Sequence, residues 1–462
     1  MRKRIKAGIL ALLLAGILML GGCIPNYKVG GKALIALSKE TREVKETLVK
    51  NLFTMLNGDS ASFLDTLSTN SKVSFENEWE FWQEQVRTYG AYEGYIYKEG
   101  WAYGEDIIFC VTASLNGHEI EVDSCWDERN RLKQLVFYTP AEEEEASVHI
   151  PDGVEEIEIT LGEGTDHPLN GRITKPKQTN GACPAVVLIP GNGSADMDFT
   201  AGVTHPYRDI AWGLAEQGIV TIRFDKRVKT YGDEWTEAPS FENLTIDWEF
   251  ADDAVMALDM LKAQDFVDPQ RIFIAGHSLG GLVSPRIDAK ADGAFAGYVL
   301  LAVPSRKWQD AVLDQFLNYG LANVEEKNLY YTASLLEAQK KDIDKKLDSF
   351  SDKELLNEAL LGMPANYWKD LDSFDYVAAI EQTDKPVLVL QGGADYQIVP
   401  EVDYQGWVKK LENKANCTLK LYDGLNHLFL KSQGCFMGCS KEYDMPGHVP
   451  DEVILDIAAF VQ

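Results

Sequence analysis

The sequence is short of cysteine, histidine and basic residues for its length of 462 residues. Seven cysteines are too few and too scattered for a fold built on disulfide bonds. The 44 basic residues stand against 72 acidic ones and give a formal net charge of −28. So acidic a protein should be repelled by nucleic acid and by anionic lipid, so we expect neither as a ligand.

Two close pairs of cysteines stand out among the few that are present. Cys110 and Cys125 lie on the arms of a predicted hairpin that turns near Asn116-Gly117, where a cross-strand disulfide is geometrically allowed. Cys435 and Cys439 flank a short loop, but no histidine lies between or beside them, which makes zinc a weak interpretation. We expect no metal, and the pairing of the cysteines stays open.

The N-terminus carries a basic segment followed by an almost unbroken apolar run from Ala7 to Leu20. That run is short for a spanning helix and fits the core of an export signal. It ends in Leu20-Gly-Gly-Cys23, which resembles the bacterial lipoprotein signal. We predict a signal peptide over residues 1–22, lipidation of Cys23 and an extracytoplasmic protein anchored to the bacterial cell membrane. An uncleaved anchor with an incidental cysteine is the alternative.

Residues 23–40 are predicted to form a tether that leads into a small domain over residues 41–140. Helical spacing from about Glu40 to Met55 and from Ser60 to Leu67 precedes four alternating segments. These segments are Tyr92 to Tyr97, Asp106 to Leu115, His118 to Trp126 and Arg131 to Tyr138. Two helices and an antiparallel meander predict an α+β domain. The pattern resembles the cone-shaped nuclear-transport-factor-like domain that precedes hydrolases in some secreted bacterial proteins, and a spacer or binding role is expected.

The pattern changes beyond a charged break near residues 139–145. Continuous apolar runs now alternate with helical segments, which indicates parallel strands buried on both faces and an α/β domain over residues 150–462. The runs are Ala185 to Ile189, Ile219 to Phe224, Ile272 to Ala275, Tyr298 to Ala302 and Val387 to Leu390. From about residue 305 to 374 the alternation lapses into charged, aromatic-rich helical sequence, which predicts a helical lid. A pair of ordinary surface helices packed on the core is the alternative.

The segment Gly276-His-Ser278-Leu-Gly280 matches the G-x-S-x-G pattern of a nucleophile elbow. In such an elbow the serine occupies a sharp strand-to-helix turn, and the neighbouring glycines relieve steric crowding. The motif alone is weak, but its setting is specific. An apolar strand over residues 271–275 enters the turn, and a helical segment that begins at Gly281 leaves it.

A serine nucleophile needs a base that takes its proton and an acid that orients the base. In a strand–elbow–helix setting, the acid and the base follow the serine along the chain, first Asp or Glu and then His. Asp395 comes after the apolar run at 387–390, and His427 comes after a strand-like run at 418–422. Both therefore lie just past strand ends, where such sheets gather their ligand sites. We predict a triad of Ser278, Asp395 and His427.

Other acids and histidines fit these roles less well. Asp403 is the reserve acid, but it is expected to begin a helix. His448 lies between two prolines with no strand before it, and His277 is adjacent to Ser278 and points elsewhere.

Stabilisation of a tetrahedral oxyanion needs two backbone N–H groups aimed at the developing charge. Leu279, directly after the nucleophile, is one expected donor. The other is expected from the loop at residues 190–194, with Asn192 as our choice and Gly193 as the alternative.

Residues 154–462 resemble bacterial α/β-hydrolases of the serine-aminopeptidase-like and dienelactone-hydrolase-like groups. The motifs that carry the resemblance are, in order, Pro190-Gly-Asn-Gly193, Asp209 to Ala215, Arg223-Phe-Asp-Lys-Arg227, the elbow, Gly392-Gly-Ala-Asp395 and Asn426-His427. The resemblance implies an α/β-hydrolase fold and hydrolysis of an ester, thioester or amide through an acyl-enzyme. Pro190 departs from the family's usual histidine at that position. Arg227 is a candidate contact for a substrate carboxylate, with an ion pair that holds its loop as the alternative.

We therefore expect a serine hydrolase that cleaves small-molecule carboxylic esters without a cofactor. The same triad would serve a peptidase or an acyl thioesterase, because the pocket decides between them. A non-catalytic surface binding module of the same fold would be expected to carry a damaged triad. The acyl chain length and the oligomeric state stay open.

Overall fold

The computed structural model describes residues 34–37, 39–56, 92–103, 106–115, 117–138, 149–179, 181–237, 244–318, 326–361, 363–432, 440–443 and 447–462. The predicted signal peptide, Cys23, the helix expected at residues 60–67, and Cys435 and Cys439 lie outside these ranges. Within them, no helix combines the length and the apolar character that crossing a bilayer requires.

The N-terminal described residues form one antiparallel sheet and one helix. The elements are β1 (Leu34–Ala36), α1 (Lys39–Leu56), β2 (Tyr92–Tyr103), β3 (Asp106–Leu115), β4 (His118–Trp126) and β5 (Leu132–Tyr138). The strands lie in the order β1-β2-β3-β4-β5. Residues 108–111 of β3 are all buried, and burial alternates with partial exposure only over residues 111–114. The likeness to a nuclear-transport-factor-like domain stays a prediction.

Two features of this region differ from expectation. Leu34–Ala36, which falls in the predicted tether, pairs with residues 101–103 as an edge strand, so ordered structure begins earlier. The register of β3 and β4 sets Cys110 opposite Asp123 and Cys125 opposite Ile108. The two cysteines therefore do not face each other directly. For them to be opposite, the hairpin would have to turn one residue later in the sequence.

The C-terminal described residues are built around an eight-stranded sheet in the order β15-β14-β11-β10-β8-β9-β7-β6. Its strands are β6 (Val154–Leu161), β7 (Leu169–Pro176), β8 (Cys183–Ile189), β9 (Val220–Phe224), β10 (Val267–His277), β11 (Tyr298–Leu301), β14 (Val387–Gly392) and β15 (Cys417–Tyr422). β7 runs antiparallel to both of its neighbours, β6 and β9, and the pairs from β9 to β15 are parallel.

Helices cover both faces of this sheet. They are α2 (Pro206–Glu216), α3 (Arg227–Glu237), α4 (Asp252–Lys262), α5 (Leu279–Leu282), α6 (Ser284–Lys290), α7 (Trp308–Asn318), α8 (Glu326–Lys346), α9 (Asp352–Asn357), α10 (Ala365–Asp372), α11 (Tyr376–Gln382), α12 (Asp403–Leu411) and α13 (Asp451–Val461). Every residue of β8 is buried, and successive residues face opposite clusters: Val187 lies in one and Val186 in the other. α4 contributes to the first cluster, and α2 and α13 contribute to the second. This explains why the sequence of β8 is continuously apolar.

The segment between β11 and β14 is helical, as expected, and packs on the core of the sheet. It contains α7 to α11 and a short hairpin of β12 (Ala359–Leu360) and β13 (Met363–Pro364). Trp308, Tyr367 and Trp368 are buried in the same apolar cluster as Leu300 of β11. The helices are thus anchored by large aromatic side chains, and their action as a lid stays a prediction.

Replacing Trp368 with alanine should lower the free energy of unfolding by about 3–5 kcal/mol, the usual cost of removing a buried tryptophan. The side chain is 1% exposed, and its Nε1 donates to the Leu360 carbonyl oxygen at 2.7 Å. Leu335→Ala in α8 is the matched control, because Leu335 is 45% exposed and its loss should cost no more than about 0.5 kcal/mol. Urea unfolding followed by circular dichroism measures both, and equal midpoints would contradict the buried packing.

Candidate active site

Ser278 lies at a sharp turn where β10 ends and α5 begins. Its backbone angles are φ 54° and ψ −123°, an uncommon left-handed conformation for a residue with a side chain. The neighbouring strand β11 holds the turn in place, since Ser278 N donates to the Leu301 carbonyl oxygen at 2.8 Å. The geometry is that of a nucleophile elbow, in which the strained backbone presents the serine at the end of the strand.

Glycines make this turn sterically possible. A Cβ on Gly280 would collide with the carbonyl oxygen of Pro190 and lie 2.8 Å from that of Ile189. A Cβ on Gly276 would collide with the backbone of Gly281, which passes directly over it. The elbow thus packs backbone against backbone, and the sequence signal for it was the glycine spacing.

Asp395 and His427 are brought together as the sequence predicted. His427 Nδ1 lies 2.7 Å from Asp395 Oδ2, and both side chains are buried. Asp395 Oδ1 accepts the backbone N–H groups of Gln397 and Ile398 at 2.8 and 2.9 Å. The carboxylate is thereby fixed, and it holds the imidazole with Nδ1 protonated and Nε2 available to accept a proton.

His277 connects the elbow to the loop that carries His427. Its Nε2 donates to the His427 carbonyl oxygen at 2.8 Å, and the two rings lie 4.3 Å apart. Because His277 directly precedes Ser278, this bond brings His427 beside the elbow. Burial, assisted by the nearby His427, holds the pKa of His277 well below its usual value, so it is a neutral donor. Its Nδ1 has no hydrogen-bond partner among the described residues.

The loop after β8 lies against the elbow. A Cβ on Gly191 would be 3.1 Å from the Ser278 Cβ, so this glycine permits the close approach. The loop then turns through Gly193, whose φ of 89° suits glycine. Asn192, the preferred oxyanion donor, therefore lies in a stretch of backbone next to the nucleophile, and Leu279 opens α5 on the other side.

Residues at the end of β9 and just after it hold residues 191–198 in place through a set of hydrogen bonds. The bonds are Arg223 Nε to Asp198 Oδ1 at 2.7 Å, Met197 N to Asp225 Oδ1 at 2.9 Å, Lys226 N to Ala195 O at 3.0 Å and Lys226 Nζ to Gly191 O at 2.7 Å. Arg223, Asp225 and Lys226 belong to the motif that ends at Arg227, but the contact of Lys226 with the loop at residues 190–194 was not foreseen from the sequence. No pattern in the linear sequence indicates this contact.

The remaining candidates have other partners. Arg227 is buried in an ion pair with Asp253, which favours the loop-holding alternative over a substrate contact. Asp403 begins α12 as expected and accepts from Ser305 N and Arg306 Nε, so it is committed elsewhere. His448 is exposed. Within the described ranges, no three acidic, histidine or cysteine side chains converge as metal ligands would.

Gln391 is a further residue that the sequence analysis missed. Its Nε2 donates to Asp395 Oδ2 at 2.8 Å, the same oxygen that faces His427. The amide is buried in the strand before Asp395, where an amide among apolar residues was the available signal.

A mostly parallel sheet, a serine elbow at its carboxyl edge and an Asp–His pair from later strands define an α/β-hydrolase. The profile of the family described as serine aminopeptidase, S33 matches residues 203–433. Esterase EstD of Thermotoga maritima is 33% identical over 401 residues, 85% of this chain and 87% of that protein. The chain belongs to this serine aminopeptidase family of α/β-hydrolases and is a hydrolase.

The chain is also similar to solved structures at low sequence identity. The ferulic-acid-bound Est1E from Butyrivibrio proteoclasticus is 20% identical, with 66% of this chain and 99% of that chain covered and a TM-score of 0.39. A structure from a study of two fungal esterases of Rhizomucor miehei is 14% identical, with 70% and 87% covered and a TM-score of 0.40.

Replacing Gly280 with alanine should destabilise the protein by about 1–3 kcal/mol, because the new Cβ meets two carbonyl oxygens that cannot move away. Gly153→Ala is the control, since no atom lies within 4 Å of the Cβ it would add. Thermal unfolding of the two variants measures the difference. A Gly280→Ala protein as stable as the control would contradict the tight backbone packing of the elbow.

Proposed function

We propose that this hydrolase cleaves carboxylic esters through an acyl-enzyme, with Ser278 as nucleophile, His427 as general base and Asp395 as its orienting acid. The observation that carries the proposal is the buried Asp395–His427 hydrogen bond beside the strained Ser278 elbow. The similarity to Esterase EstD supports an ester as the substrate, and the family description keeps a peptide bond as the second candidate.

In the first half of the reaction, Ser278 Oγ attacks the ester carbonyl carbon while His427 Nε2 takes the hydroxyl proton. The tetrahedral oxyanion is stabilised by the backbone N–H groups of Leu279 and Asn192, with Gly193 as the alternative to Asn192. The bond to the alcohol oxygen then breaks, and His427 returns the proton to that oxygen. Asp395 stabilises the imidazolium that exists between these two steps.

In the second half, His427 takes a proton from water, and the hydroxide attacks the acyl carbon of the Ser278 ester. The bond between the carbon and Ser278 Oγ breaks, the serine recovers its proton from His427, and a carboxylic acid leaves. All groups that transfer protons belong to the chain or to water, so the proposed cycle needs no cofactor.

Ser278→Ala should abolish turnover of p-nitrophenyl esters while leaving the fold unchanged, because the nucleophile is lost and nothing larger is introduced. Hydrolysis across acyl lengths should be measured for both proteins, together with labelling by a fluorophosphonate. We expect the wild type to label and turn over, and the variant to do neither. Undiminished turnover by the variant would overturn the mechanism. Labelling of the wild type without ester turnover would favour a peptide or thioester substrate.

A lipid anchor on Cys23 is part of this proposal and is supported by the N-terminal sequence alone. Cys23→Ser should move the protein, expressed in bacteria, from the detergent phase to the aqueous phase of a Triton X-114 partition or leave its signal peptide uncleaved. Cys417→Ser is the control and should stay with the detergent. A Cys23→Ser protein of mature size in the detergent phase would contradict lipidation.

A further inference from the structure

Lys226 is a buried lysine that lies next to the oxyanion loop but takes no part in the proposed proton transfers. Its side chain is 2% exposed, although a lysine ammonium is costly to remove from water. Nζ donates to Glu249 Oε1 at 2.5 Å and to the Gly191 carbonyl oxygen at 2.7 Å. It also lies 4.0 Å from the centre of the Phe250 ring. The ammonium is therefore held at a fixed point against the loop.

Glu249 is fixed in turn by the helical insertion. Its Oε2 accepts the hydroxyl of Tyr367 at 2.7 Å, and Tyr367 is fully buried in α10. The chain of contacts thus runs from the insertion through Glu249 and Lys226 to Gly191. A buried ion pair of this kind often adds little stability over apolar packing, which leaves positional control as the reason to keep it.

The bond to Gly191 has a direct geometric consequence for Asn192. The Gly191 carbonyl and the Asn192 N–H belong to one peptide unit, and no cis peptide occurs among the described residues. In a trans peptide the C=O and N–H bonds point in opposite directions. An ammonium that binds the carbonyl therefore fixes the direction of the N–H, and its charge polarises the peptide so that the N–H becomes a stronger donor.

We propose that Lys226 is a positioning residue for the oxyanion hole: Glu249 and Tyr367 hold its ammonium on the Gly191 carbonyl, which aims the Asn192 N–H at the oxyanion. The inference rests on the proposed function, because it assigns Asn192 the donor role given there. Lys226 does not touch the substrate. Its effect is on the transition state, where the oxyanion carries its full charge, and much less on binding of the uncharged carbonyl.

The experiment compares Lys226→Met with Lys385→Met in the full-length protein. Lys385 is a matched control, because its Nζ also bonds a buried carboxylate, Asp288, and a backbone carbonyl, that of Phe295. Lys385 lies just before β14, at the edge of the sheet opposite to the edge that carries Asp395. With a p-nitrophenyl ester, Lys226→Met should lower kcat about 10- to 100-fold with KM within about twofold of wild type, and Lys385→Met should change neither.

A double variant separates positioning from simple loss of stability. Lys226→Met leaves Glu249 buried without its partner and should lower the melting temperature. Lys226→Met with Glu249→Gln removes that charge and keeps an acceptor for Tyr367, so we expect the melting temperature to recover while kcat stays low. Recovery of kcat together with stability would overturn the proposal, since it would make Lys226 merely structural.

Tyr367→Phe provides a readout even where Lys226→Met does not fold. It removes one hydroxyl and should lower kcat about 2- to 5-fold without changing KM. If Lys226→Met folds, a wild-type kcat in that protein would overturn the inference alone, provided that Ser278→Ala is inactive. If Lys226→Met does not fold, a wild-type kcat in Tyr367→Phe would do the same. Turnover that survives Ser278→Ala would instead overturn the proposed function, and the inference with it.

Discussion

Close contact between backbones at the carboxyl edge of the sheet is the constraint on which the rest of the site depends. The elbow at Ser278 has a strained backbone, and it is held because Gly280 allows α5 to approach the end of β8. The same contact presses Gly191 against the nucleophile. Gly280 meets the carbonyl oxygens of Pro190 and Ile189, and Gly191 meets the Ser278 Cβ, so close packing at these glycines fixes the spacing between Ser278 and the loop at residues 190–194. Charged residues at the end of β9 and just after it then hold this loop and the residues that follow it.

Much of the fold followed from the sequence, because parallel strands buried on both faces require unbroken apolar runs. The limits of β3 and β4 agree with the expected ones, and the strand–elbow–helix order of β10 and α5 was also foreseen. Ser278, Asp395 and His427 could be placed at one edge of the sheet because each comes just after the end of a strand. Leu34–Ala36 was missed because three residues carry too little periodicity to separate an edge strand from a tether.

The contacts that the sequence did not disclose are those between distant side chains. Lys226, Glu249 and Tyr367 come from three separate segments, and nothing in the local sequence of any one specifies the other two. Gln391 is close to Asp395 in the sequence, but its hydrogen bond to that carboxylate became clear only from the structure. Arg227 illustrates the opposite case: its motif suggested a substrate contact, but its buried partner Asp253 lies on a helix that the motif does not include. The local sequence predicts the element on which a side chain lies, whereas the partners of that side chain depend on the packing of other segments.

The order of strands along the chain has a consequence for how the protein becomes active during its synthesis. Ser278, the proposed nucleophile, comes well before Asp395 and His427, the proposed acid and base, which follow β14 and β15, the last two strands among the described residues. β14 pairs in parallel with β11, which is made much earlier, and β15 then pairs with β14, so this edge of the sheet depends on a long-range contact that forms slowly. Under the proposed mechanism, a partly synthesised chain that lacks these strands therefore holds Ser278 without the base that would activate it. Ser278 would become reactive only when the edge of the sheet that carries Asp395 and His427 has formed.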